Sequence, residues 1–111
     1  MTSSDAKELQ NSRLTLFVMM NCLNGFFQDV ASDSLSESLM KAGHGGAVAV
    51  WASSGMTTPD GQTLIDQEFC RQSSDRNATI GEAIRNAKAA TGDRDIRRTW
   101  ILLGDPAMHV K

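Results

Sequence analysis

Cysteine is scarce: Cys22 and Cys70 are the only two in 111 residues, far apart and in no CxxC or zinc-ligand spacing. That argues against a disulfide scaffold or a structural zinc site. Histidine is equally scarce, with only His44 and His109, so a histidine general base has two candidates within these residues. The formal charge is −2, and no basic field favours nucleic acid or an anionic membrane. No apolar run approaches the ~20 residues that cross a bilayer. The opening MTSSDAKELQNSR is polar and has no hydrophobic signal core, so the chain shows no export address and its localisation stays open. Repeats and low-complexity segments are missing too. The length fits one small domain or part of a larger one.

What is present is an ordinary globular balance, 41% hydrophobic and 22% charged, enough for a modest core. Residues 1–13 read as a polar lead, with the end of a helix around Ala6–Gln10. Leu14–Met20 (LTLFVMM) is a continuous apolar run, the pattern of a strand covered on both faces. FFQDVASD reads as a loop. Ser34–Ala42 carries a capping box, Ser34 with Glu37, and Gly43 suits the C′ position. Ala47–Trp51 (AVAVW) reads as a second buried strand, and SSGMTTPDGQ as a loop. Thr63–Arg71 and Thr79–Ala90 read as helices. The second is the stronger, with Thr79 and Glu82 as its capping box and Gly92 as its stop. Thr99–Leu103 (TWILL) is a third apolar run, and Met108–Val110 a last short strand. The order predicts an α/β layered domain with a mostly parallel sheet, Leu14–Met20 beside Ala47–Trp51.

In such sheets ligands and catalytic groups gather outside the carboxyl ends of the strands. Cys22 falls at that end of the first strand, and Ser53-Ser54-Gly55 at that end of the second. By placement alone Cys22 is either a packed, inert thiol or a nucleophile. A nucleophile needs a base and oxyanion donors. His44 precedes its strand, which puts it at the opposite end of the sheet, and His109 lies beyond Gly104-Asp105-Pro106. The glycines of GHGG also precede a strand, whereas a phosphate loop follows one and opens a helix. Asn77-Ala78-Thr79 fits a glycosylation acceptor, but Thr79 is better explained as a helix cap. No cofactor is expected.

Four blocks carry a resemblance: NCLNGFF, SLSESLMKAGHGGAVAVWASSG, TIGEAIRNAKAA and TWILLGDPAMHV. In that order and spacing they resemble the C-terminal half of the gingipain-type cysteine peptidases, over almost all of residues 14–110. The resemblance implies a caspase-like, three-layer α/β fold with a Cys-His dyad, in which the nucleophile ends a strand within a block like NCLNG. It therefore falls on Cys22, with Gly25 relieving crowding in the turn and Asn21 and Asn24 accepting unusual backbone angles. By analogy with caspase-like folds, Trp51, Ser53 and Ser54 flank the substrate side chain. The dyad histidine of such peptidases comes from an earlier strand, in a His-Gly context before the cysteine block, and part of the oxyanion hole lies beside it. Nothing before Leu14 matches that context, and His44 cannot be carried over.

The expectation is thus a half-domain, residues 14–111, acting on a peptide or protein substrate. Its sheet has an open edge, so the expected partner is the missing N-terminal half or a second copy in a dimer or swapped assembly. The other reading is a non-catalytic binding or assembly module. Relatives are often secreted or surface-bound.

Overall fold

The apolar run at Leu14–Met20 does form a strand. A computed structural model of the chain describes residues 1–110 and places β1 at Thr15–Met19, with α1 at Ser3–Lys7 before it. The elements that follow are α2 (Leu35–Met40), β2 (Ala47–Ser53), α3 (Pro59–Ser73), α4 (Ile80–Ala90), α5 (Arg94–Thr99) and β3 (Trp100–Leu103). Lys111, the last residue of the expected segment 14–111, lies outside the described residues.

The sheet order is β1-β2-β3. β1 and β2 are parallel, with Phe17 beside Val50 and Met19 beside Ala52, as their apolar runs and single linking helix lead one to expect. β3 departs from the mostly parallel expectation. It runs antiparallel to β2, with Trp51 opposite Leu102 and Ser53 opposite Trp100. The reason is the number of traverses between them. α3, at 15 residues, carries the chain about 22 Å towards the amino end of β2. α4 packs along α3 and brings it back, so β3 starts where β2 ends.

Side chains alternate along β2 and feed two apolar clusters. Trp51 joins Ile65 and Phe69 of α3, Ala83 and Ala87 of α4, Ile96 of α5 and Trp100. Val50 and Ala52 join Ala6 of α1 and Leu39 of α2. The polar lead is therefore folded, and its helix is placed earlier than Ala6–Gln10.

The two expected capping boxes form. Glu37 N donates to Ser34 Oγ at 3.2 Å and Ser34 N to Glu37 Oε2 at 2.9 Å. Thr79 and Glu82 do the same at 3.1 and 2.9 Å. α2 stops at Met40 with Lys41 as its cap, so Gly43 is not its C′ residue. Pro59–Gln62, expected in a loop, is the first turn of α3, because Thr58 caps it and proline fits N1. Met108–Val110 makes a single bridge, Thr79 with His109, rather than a strand.

One glycine is indispensable at the entry to β2. Gly46 has φ +94°, and a Cβ there would stand 2.2 Å from the Leu39 carbonyl oxygen. Asn11 fastens the same residue, accepting from its N–H at 2.7 Å and donating to its carbonyl at 2.9 Å. Gly46→Ala is therefore expected to destabilise the fold by about 2–5 kcal/mol, combining left-handed strain with overpacking against backbone. A urea unfolding midpoint equal to that of the parent chain would contradict this.

Candidate active site

Immediately beyond β1 the chain turns across the carboxyl end of β2. Leu23 has φ +63°, the only non-glycine residue with positive φ among those described. Leucine pays for that conformation in steric strain, which persists only where surrounding bonds hold it. They do. Leu23 N donates to the Gly55 carbonyl at 3.4 Å, Gly25 N to the Ser53 carbonyl at 2.9 Å, and Phe26 N to the Leu23 carbonyl at 3.1 Å. The strain thus sits at Leu23 rather than at Asn21 or Asn24. Gly25 serves by closeness: a Cβ on it would stand 3.3 Å from the Ala52 Cβ.

Cys22 is half-buried and unpaired by any disulfide. Its Sγ donates to the Thr57 carbonyl at 3.3 Å and accepts from Thr57 N at 3.5 Å. Gln62 Nε2 donates to Sγ at 3.2 Å. The carbonyls of residues 53, 55 and 57 thereby bind Gly25, Leu23 and Cys22 in turn, tying the cysteine loop to the end of β2. Hydrogen bonds from Thr57, with a further contribution from Gln62, hold the Cys22 thiol below its ordinary pKa. Cys70 is the contrast: desolvation first, then Asp66, pushes its thiol up. A thiol that is easily ionised, at a strand's carboxyl end, beside the start of a long helix, is chemically suited to nucleophilic attack.

Neither histidine reaches it. His44 precedes β2 and is exposed, about 20 Å away along a strand of this length. His109 Nδ1 lies 3.1 Å from the Ala78 carbonyl, and His109 lines a cleft with Arg13, Leu14, Thr15 and Leu16 at the amino end of β1. Among the described residues no group of three His, Cys, Asp or Glu is placed to hold a metal ion, and no helix is long and apolar enough to cross a membrane.

The model of peptidase family C25 matches residues 1–111. The chain belongs to that family. A crystal structure of the Arg-specific cysteine proteinase gingipain R is similar to it, with a TM-score of 0.78 and 26% identity. That match covers 98% of this chain and 29% of gingipain R, so the chain spans less than a third of the similar protein. No curated protein matches.

Within this family C25 chain, the residues expected to flank a substrate are engaged inside the fold. Trp51 is fully buried, its ring 4.4 Å from Phe69 and 5.1 Å from Trp100. Ser53 is also fully buried, and its Oγ donates to the Gly55 carbonyl at 2.9 Å. Ser54 Oγ donates to the Thr99 carbonyl at 2.8 Å. Thr57 and Gln62 are the contacts that sequence reasoning missed. Thr58-Pro59 was the available signal, since a capping threonine before an N1 proline starts a helix at that point.

Proposed function

We propose that Cys22 is the nucleophile of a cysteine peptidase domain that acts on peptide or protein substrates. The observation that carries this is the bonded thiol at the strand end, on a strained turn, in a chain of family C25. The Cys22 thiolate attacks the scissile carbonyl carbon, the C–N bond breaks, and the amine leaves with a proton returned by the base. Water then cleaves the thioester and frees the carboxylate. The base is a histidine outside residues 1–111, because both histidines here lie at the other end of the sheet, and part of the oxyanion hole comes with it. In this reading the chain is half of a caspase-like, three-layer domain, and the free edge of β1 receives the strand that brings the histidine. A second copy of the chain is the other occupant of that edge to consider. Ser53 and Ser54 shape the substrate side of the site by holding the end of β2 in place, with Trp51 as the floor beneath them, and Met56, three-quarters exposed, precedes the Thr57 that bonds the thiol.

A non-catalytic binding module is the second reading, favoured by the distance of both histidines from Cys22. One experiment separates them. The catalytically complete enzyme is treated with a peptidyl chloromethyl ketone, which transfers its methylene carbon to a nucleophilic sulfur and releases chloride. Labelling at Cys22, with peptide cleavage abolished by Cys22→Ala, is the expected result. Cleavage that survives Cys22→Ala would overturn the nucleophile assignment.

A further inference from the structure

We infer that Gln62 is a positioning residue for the Cys22 sulfur, donating from Nε2 to Sγ while Thr57 fixes the amide. The inference rests on reading Cys22 as the nucleophile and adds a residue to that site. Gln62 is only 7% exposed, and a polar side chain buried to that degree is held by the partners it bonds. Its Nε2 has two such partners, Cys22 Sγ at 3.2 Å and Thr57 Oγ1. Gln62 reaches them from the opening turns of α3, whose cap is Thr58.

The four contacts on Sγ respond differently to ionisation, the longest being Thr57 Oγ1 at 3.8 Å, where either atom can donate. The Thr57 carbonyl accepts from the protonated thiol, and that bond vanishes when the proton leaves. Thr57 N and Gln62 Nε2 only donate. Both bonds strengthen when sulfur becomes an anion, since a charged acceptor roughly doubles a hydrogen bond. With no histidine near, the side chains placed to favour the thiolate by donating to it are Thr57, through Oγ1 at 3.8 Å, and Gln62, through the closer Nε2. The charged groups on the adjoining segments are Asp60 in the first turn of α3, Asp29 in the loop after Cys22, and Asp93, Arg94, Asp95, Arg97 and Arg98 around α5. Asp29 is engaged by Ala31 N and Ser32 Oγ, and Asp93 caps α5. The bonds to Sγ come from Thr57 and Gln62 alone among the described residues.

The test is the pH profile of iodoacetamide alkylation at Cys22 in residues 1–111, followed by mass spectrometry with Cys70 as the internal reference. It needs no peptidase activity, so its failure is distinct from failure of the nucleophile reading. Gln62→Met keeps the length of the side chain and removes the donor. Its Cys22 profile should move to higher pH, with alkylation at pH 7 slowed about three- to tenfold, the amount by which one hydrogen bond strengthens when its acceptor becomes charged. Cys70 should be unaffected. Gln62→Glu, close in shape, should slow Cys22 further by placing a carboxylate against the sulfur, and it serves if Gln62→Met does not fold. A folded variant whose Cys22 profile is unchanged, or moves to lower pH, overturns the inference.

Discussion

If Cys22 works with a histidine carried by a further part of the sheet, as proposed, residues 1–111 by themselves are expected to show no measurable peptide hydrolysis, and supplying that part in trans should restore it. An unassisted cysteine ionises near a pKa of ~8.5, leaving a few per cent thiolate at neutral pH. Thr57 and Gln62 improve that fraction for Cys22. Neither can carry a proton to the leaving amine, because an amide and a backbone carbonyl do not titrate in this range. General acid–base help is typically worth ~10²–10⁴ in rate, and each oxyanion donor about 10²–10³. Without the proposed histidine and the oxyanion donor beside it, the chain should turn over at least about ten-thousandfold more slowly than the completed enzyme. The check is a fluorogenic peptide assay on the chain, the reconstituted enzyme and its Cys22→Ala variant. Turnover by residues 1–111 alone that requires both Cys22 and His44 would contradict the parallel pairing of β1 and β2.

Trp51→Ala should be the most damaging single truncation in the fold. The indole is fully buried between Phe69 and Trp100. Removing it costs about 3–5 kcal/mol in transfer and cavity terms. Two aromatic pairs disappear as well, each worth about 0.5–1.5 kcal/mol beyond area. Against a typical domain stability of about 5–15 kcal/mol, the variant should be largely unfolded near physiological temperature. Thermal melts followed by circular dichroism measure this, and a loss below about 1 kcal/mol would be incompatible with core burial. Trp51→Phe separates the floor role from direct recognition. It should lower stability moderately in the chain and leave KM of the completed enzyme nearly unchanged, whereas a tryptophan in direct contact with substrate would raise KM.

Much of this was written locally. LTLFVMM has a single polar residue, Thr15 at its start, and no alternation to give a wet face, so a strand covered on both sides followed from the run itself. Ser34 with Glu37 and Thr79 with Glu82 fixed two helix starts, since a capping box closes within three residues and needs no help from elsewhere. Cys22 at the mouth of β1 followed from adjacency in the chain. α5 was not legible, because RDIRRT has one apolar residue and no stripe to reveal it.

The rest depended on contacts between distant residues. The antiparallel course of β3 came from the length and pairing of α3 and α4, which return the chain to the end it had left. The meeting of Gln62 with Cys22 spans 40 positions, and no periodicity encodes it. Trp51 could have faced solvent or core, and the packing of α3 against β2 decided for the core. Sequence by itself determined the three strands and the cores of α2, α3 and α4, because propensity, caps and apolar runs act over a few residues. Only tertiary structure decided which groups surround the thiol, because those bonds exist only once the sheet has brought separate segments to one end.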